Sequence, residues 1–495
     1  MKNQSILYTL VMLLVSGLGA TAAVEYDGYT NPAGDKFPIA IYDNVLISTP
    51  DCKQFLSDAE QKAYFDTIRM AGFNVELWGK EDIWRKEPVN KWGPYLKSIG
   101  MNTIISTRGF SLTRSKIPYD ANTPDSILLQ DNWDGLRTVI SNYSHDPNVW
   151  GYWVSDEPKM SRLHIPAYEL NTNEPTVLPT FERVHKFRES KVAYANFAVA
   201  FTYDWIGDFA SEKPDSIYIE PYENFLDYMV DVLDLKFLTF DVYPVISHSK
   251  GPEPAWGIKS FYYNSMDLYG RYCRDRKIPV WLVMLSVEHA NYDSNGNLDW
   301  EYPEITEGLL RLQAMNGLAF GMKGLVYWEY GAQNKWSGNT LYKSALYDMN
   351  KMQTTPAWAA ARSVNNVVAQ YGACLQNATY DRSCIAVKDS VNRYDGFEEL
   401  SGSFHGIKLI DHSGYAVLLS HLTSDDGEYV AIVNQDHLKN QKITLALPQN
   451  LKYKQVMLHY TDDPNSINLF DKDLSKQETF TLGPGGMILF LRTNK

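Results

Sequence analysis

The chain has 495 residues, enough for two domains, and its 59 acidic against 46 basic side chains leave a formal net charge of −13. That charge repels phosphate backbones and anionic bilayers, so neither nucleic acid nor a membrane surface is an expected partner. Aromatic residues make up 13% of the chain, with 33 Tyr and 13 Trp, and flat rings of this kind stack on the apolar faces of sugars.

The first element is an apolar run from Ile6 to Val15 behind Lys2, followed by small residues at Thr21, Ala22 and Ala23. This pattern predicts a signal peptide over residues 1–23. The run is shorter than the ~20 residues a membrane span needs, and no cysteine stands at the cleavage point to take a lipid. The expectation is an exported protein, periplasmic or secreted, working as a monomer. Of the four cysteines, Cys374 and Cys384 stand ten residues apart around a turn signal, which suits either a disulfide or two buried thiols.

Eight short apolar runs rich in β-branched and aromatic residues follow in order: FPIAIYDN from Phe37, FNVELWG from Phe73, MNTIIST from Met101 and VWGYWVSDEP from Val149. The second four are KVAYANFAV from Lys191, FLTFDVYPV from Phe237, IPVWLVMLSVEHA from Ile278 and KGLVYWEYG from Lys323. Helical stretches separate them, and in MAGFNVELW, SIGMNTIIS and GMKGLVYW a glycine stands where it can end a helix in a left-handed conformation. Eight such units predict a (β/α)₈ barrel over residues 24–363, its strands apolar because both faces are buried. From about Val364 the chain changes to alternating runs such as GYAVLLSHL, GEYVAIVNQ and GMILFLR, which predict an antiparallel β-sandwich over 364–495.

A barrel of this type places its active site at the C-terminal ends of the strands. The candidate substrate-binding residues there are Asp43, Glu76, Trp78, Arg108, Asp156, Asn196, Asp241, Tyr243, His289 and Trp328, and the candidate catalytic residues are Glu157, Glu288 and Glu329. Acids and aromatics dominate. There is no Ser-His-Asp order, no phosphate-cradling glycine loop and no metal-ligand spacing, so neither a metal nor another cofactor is expected. Such a set suits proton transfer between oxygens: hydrolysis of a glycosidic bond needs one carboxylic acid to protonate the leaving oxygen and a second group to attack or to activate water. Glu157 is the expected acid, because the like charge of Asp156 and burial beside Trp153 both favour its protonated form.

The Asp-Glu-Pro that ends the fourth strand resembles the Asn-Glu-Pro signature of the large (β/α)₈ clan of retaining glycoside hydrolases. WVSDEP, FDVYPV and EITEGLLRLQAMNGLAFGMKGLVYWEYG together are similar to a group of exported barrel proteins of gut Bacteroidetes assigned as glycoside hydrolases. The resemblance implies an oligosaccharide or polysaccharide substrate, Glu157 as acid/base, and a nucleophile at Glu288 on the seventh strand or, failing that, at Glu329. Asp156 departs from the clan's Asn. Adjacent acids at this place also resemble hexosaminidases in which the Glu protonates the leaving group and the Asp orients the substrate's own 2-acetamido group as nucleophile. A third alternative is a barrel that binds glycans without cleaving them.

Overall fold

The computed structural model describes residues 26–43, 57–78, 86–107, 130–163, 177–199, 219–248, 258–259, 261–332, 335–388, 397–447, 453–458, 468–470 and 477–492. The signal segment expected over 1–23 lies outside them, as does Arg108. No helix among the described residues is long and apolar enough to cross a membrane.

Eight parallel strands close into the expected barrel: β1 (Ile39–Asp43), β2 (Val75–Trp78), β3 (Asn102–Ser106), β4 (Val149–Asp156), β5 (Val192–Phe197), β6 (Leu238–Asp241), β7 (Val280–Leu285) and β8 (Gly324–Trp328). Ile39 pairs with Leu325 where β8 returns to β1. The helix Asp58–Met70 begins on Ser57, whose side chain accepts from the amide of Glu60. It ends just before Gly72, which turns the chain into β2 at φ +92°, a conformation that other residues adopt only at a cost. Gly321 does the same ahead of β8 at φ +77°.

Successive strand residues face opposite ways, and here that parity decides which side chains can meet a ligand. Ala40 and Tyr42, Val75 and Leu77, Trp281 and Val283 point into the barrel, where they form one interior apolar cluster. Their neighbours Ile41, Trp78 and Leu282 point outward and pack with the surrounding helices.

The expected seventh strand is two elements. β7 ends at Leu285, and Glu288 opens a separate antiparallel strand, Glu288–Tyr292. That strand lies between Leu298–Tyr302 and Thr340–Ser344 in a five-stranded sheet outside the barrel. The sandwich begins later than expected: Pro356–Leu375 is a 20-residue helix with its proline at the start, so it runs through the expected boundary at 363/364, and the first sandwich strand is Thr379–Val387. Two antiparallel sheets of six and four strands follow. They rest on the barrel's helices, with Tyr263 donating to the Gln435 side chain at 2.9 Å and Ser420 donating to the carbonyl of Ala319. Cys374 and Cys384 are free thiols: Cys374 packs against the barrel–helix core while Cys384 sits inside the sandwich core.

Candidate active site

Two local departures from regular strand geometry bring both acids of the Asp-Glu pair to the mouth of the barrel. The first is a bulge in β4 between Trp153 and Ser155, where the register against β5 shifts by one residue. Without it Asp156 would share the outward parity of Val154. With it, Asp156 pairs with Asn196 of β5 and points inward. The second is Glu157 itself, held at φ +47° with its amide donating to the carbonyl of Asn196 at 2.6 Å. A left-handed glutamate costs about 1–2 kcal/mol relative to ordinary backbone, and such costs concentrate where a side chain must be presented in one particular direction.

Asn196 organises the acids. Its Nδ2 donates to Asp156 Oδ1 at 3.1 Å and to Asp241 Oδ1 at 2.7 Å, while its Oδ1 accepts from Thr239 Oγ1 at 2.8 Å, which fixes the orientation of the amide. Thr239 and Asp241 are the inward residues of β6. Burial, and then the charge of Asp156, raise the Asp241 carboxyl to about 7, although Asn196 and Lys259 pull the other way. Asp241 is therefore protonated in a substantial fraction of molecules at neutral pH. Lys259, whose own ammonium burial lowers to about 8, donates to the Tyr302 hydroxyl at 2.8 Å.

A cavity of about 190 Å³ opens over these groups, lined by Asp156, Glu157, Asn196, Thr239, Asp241 and Tyr243 on one side. Tyr42, Leu77, Trp153, Tyr194, Val283 and Val326 form its floor, with Trp328, His289 and Tyr342 above. It is smaller than the ~300–1,000 Å³ of drug-sized ligand sites, a size that suits one sugar unit. Trp328 and Tyr42 lie with ring centroids 4.3 Å apart and Tyr42 meets Trp153 edge-on at 5.2 Å, so the floor and the Trp328 side share one packed aromatic surface. Burial, with Asp241 and Glu157 nearby, holds the Tyr243 phenol well above its usual range, so it is a neutral hydroxyl donor. Burial lowers His289 to about 4. Its Nδ1 lies 3.0 Å from the Val287 carbonyl, which can only accept. The proton therefore sits on Nδ1, and Nε2 keeps a lone pair for a hydroxyl donor.

Of the expected residues, the structure thus brings Asp156, Glu157, Asn196, Asp241, Tyr243, His289 and Trp328 together on one cavity. It does not bring Glu288 there. His289 faces the cavity, so its strand neighbour Glu288 takes the opposite face and ion-pairs with Lys343 at 3.0 Å, a cation that also meets Glu301. Asp43, Glu76 and Trp78 are also turned away: they have the outward parity of β1 and β2, where Tyr64 donates to Asp43 at 2.9 Å and Glu76 is fully buried. Glu329 is buried directly after Trp328, and its charge helps raise the phenol of Tyr342, a cavity residue. Tyr194, Thr239 and Tyr342 were not among the expected residues. Inward parity was the signal for the first two. Tyr342 comes from a strand beyond the barrel, Thr340–Ser344, whose only sequence signal is the alternation in TLYKS.

Neither a scan of protein-family models nor a search of curated proteins gives a match. Among solved structures, the chain is similar to a β-galactosidase from the psychrophilic Marinomonas ef1, with 12% identity and a TM-score of 0.43 over 67% of this chain and 59% of that one. A β-glucosidase from Thermotoga maritima matches at 10% identity and TM-score 0.42, over 70% of this chain and 99% of the other. A GH30 endoxylanase from Clostridium papyrosolvens C71 matches at 10% and 0.41, over 93% and 96%. At these values the matches carry nothing about the reaction of this chain.

Proposed function

We propose that this protein is a glycoside hydrolase that cleaves a β-linked 2-acetamido sugar, with the substrate's acetamido group as the nucleophile. One observation carries the reading: the acids that meet on the aromatic cavity come from β4 and β6, while the acid that follows β7 is bound to Lys343 outside it. A hydrolase without a β7 nucleophile needs another attacking group, and the acetamido carbonyl oxygen lies on the ring face opposite a β-linked leaving group.

In this reading Glu157 gives its proton to the leaving oxygen as the bond from that oxygen to C1 breaks, and the acetamido oxygen closes on C1 to form an oxazolinium ring. Asp156, fixed by Asn196, accepts from the acetamido N–H and offsets the charge that develops on it. Tyr243 donates to the acetamido oxygen, and His289 Nε2 accepts from a ring hydroxyl. Water then attacks C1 as the bond from C1 to the acetamido oxygen breaks, which restores the acetamido group, and the water's proton passes to Glu157. Holding the internal nucleophile next to C1 makes the first step unimolecular, which removes much of the entropic part of the barrier.

A second reading has one observation of its own. Glu329 is buried beside the cavity residue Tyr342, a place from which a carboxylate could attack C1 directly in a retaining reaction. Rates for Glu157→Gln, Asp156→Asn and Glu329→Gln on aryl β-N-acetylhexosaminides separate the two. Under the proposed reading the first two variants lose activity and Glu329→Gln keeps it. Loss in Glu329→Gln together with a covalent glycosyl-enzyme would establish the second. Binding of glycans with no cleavage of any would make the barrel a recognition protein.

A further inference from the structure

The β-sandwich carries a cluster that the barrel chemistry does not use. Asp381 Oδ2 lies 2.9 Å from His421 Nδ1 and 3.9 Å from His405 Nε2, and one ligand atom from each of the three lies within 4.8 Å of the others. The three come from both sheets. Asp381 and His421 stand on the paired strands Thr379–Val387 and Ala416–Ser424, whereas His405 stands on the turn between Ser403–Phe404 and Ile407–His412 of the opposite sheet.

Three features set this cluster apart from an ordinary surface ion pair. Asp381 is the extra residue of a β-bulge: Tyr380 pairs with Leu422 and Arg382 with His421, which leaves Asp381 re-aimed toward the histidines. His405 Nε2 is buried with no hydrogen-bond partner, a state that costs free energy unless something fills the gap. His421 is 5% exposed and has a carboxylate at each ring nitrogen, Asp381 at Nδ1 and Glu428 at Nε2 (3.3 Å), and Glu428 is itself held by Arg492. If the Nε2 proton serves Glu428, the 2.9 Å contact at Nδ1 sets a lone pair against a carboxylate oxygen. A metal ion that takes both atoms as ligands relieves that contact. A histidine that gives its far N–H to a carboxylate is also the usual outer support of a metal ligand.

We infer that Asp381, His405 and His421 form a binding site for a divalent transition metal of the zinc type, which ties the two sheets of the sandwich together. Zinc takes nitrogen and carboxylate ligands at about 2.0–2.2 Å in a tetrahedron, so ligand atoms stand roughly 3.3 Å apart. The two separations to Asp381 bracket that value. Water completes the fourth position. The imidazoles of His405 and His421 are stacked with centroids 3.4 Å apart, so metal capture turns the His405 ring out of the stack. Its position allows this: His405 and Gly406 form a two-residue hairpin turn, both at positive φ, and the His405 side chain is 19% exposed.

The test uses the full chain freed of metal by chelator, titrated with Zn²⁺ by calorimetry and followed by thermal melting. One equivalent of zinc binds and the melting temperature rises. His405→Ala, a change in a hairpin turn, weakens zinc binding at least tenfold and abolishes the rise, as does Asp381→Asn, while activity of the barrel is unchanged. No zinc uptake by the wild type would overturn the site. Uptake unchanged in both variants would overturn it equally, since the zinc would then be bound elsewhere.

Discussion

Asp156 and Asp241 accept hydrogen bonds from a single nitrogen, Nδ2 of Asn196, at 3.1 and 2.7 Å. Burial, and then the charge of Asp156 beside it, raise the Asp241 carboxyl to about 7. Below that pH the pair carries one charge and Asp156 can face the acetamido N–H. Above it the second charge repels the first. The kcat/KM profile of the wild type should therefore fall through about pH 7, and Asp241→Asn should remove that limb while keeping activity at lower pH. A limb that stays at the same pH in the variant would show that another group titrates there.

Glu157→Gln keeps the shape of the side chain and removes its proton. General acid catalysis is worth about 10²–10⁴-fold, so kcat should fall by that factor on substrates with alkyl or sugar leaving groups. It should fall much less on dinitrophenyl glycosides, which leave without protonation. An equal loss on both would place Glu157 in binding and not in proton transfer.

Glu288→Gln tests the turned-away acid. Its partner Lys343 and Glu288 itself are both partly exposed, at 28% and 23%, and pairs of this kind contribute about 0–1 kcal/mol. The variant should melt close to the wild type and cleave with unchanged kcat. A large loss of kcat would mean that the strand Glu288–Tyr292 reorients when substrate binds.

The barrel was legible because its information is local: each strand run, its apolar character and the glycine after the preceding helix can be read within about ten residues. Which strand-end residues face the mouth is not local in the same way. Asp43 and Glu76 occupy the right positions along their strands but the wrong parity, and Tyr42 and Leu77, one residue away, line the cavity instead. For Asp156 simple parity fails in the other direction, because the β4 bulge re-aims it. The seventh run misled for a third reason: LSVEHA continues the apolar pattern of β7 although the backbone has already left the barrel for another sheet. Lys259 and Tyr342 reach the site from segments with no strand-end signature at all.

Glu76 yields a prediction about stability. Burial, and then the neighbouring Asp43, raise its carboxyl well above 4.5, so the folded protein keeps the proton. The unfolded chain releases it above pH 4.5, so stability is lost as pH rises from there toward the folded value. Glu76→Gln has no proton to lose. It should match the wild type near pH 4 and become progressively more stable than it above pH 4.5, by up to about 1.4 kcal/mol per pH unit. Denaturant melts at several pH values measure this, and a gap that is constant with pH would contradict the assignment.

The measurement that bears most directly on the Asp156–Glu157 pair is the ratio of kcat/KM for two aryl β-glycosides that differ only at C2, one with an acetamido group and one with a hydroxyl. Participation by the substrate predicts a ratio above about 10³, since loss of a well-placed internal nucleophile removes several kcal/mol of advantage. It also predicts that the ratio collapses in Asp156→Asn. Comparable rates on both substrates, with activity lost in Glu329→Gln, would contradict the account and assign attack to the enzyme's own carboxylate.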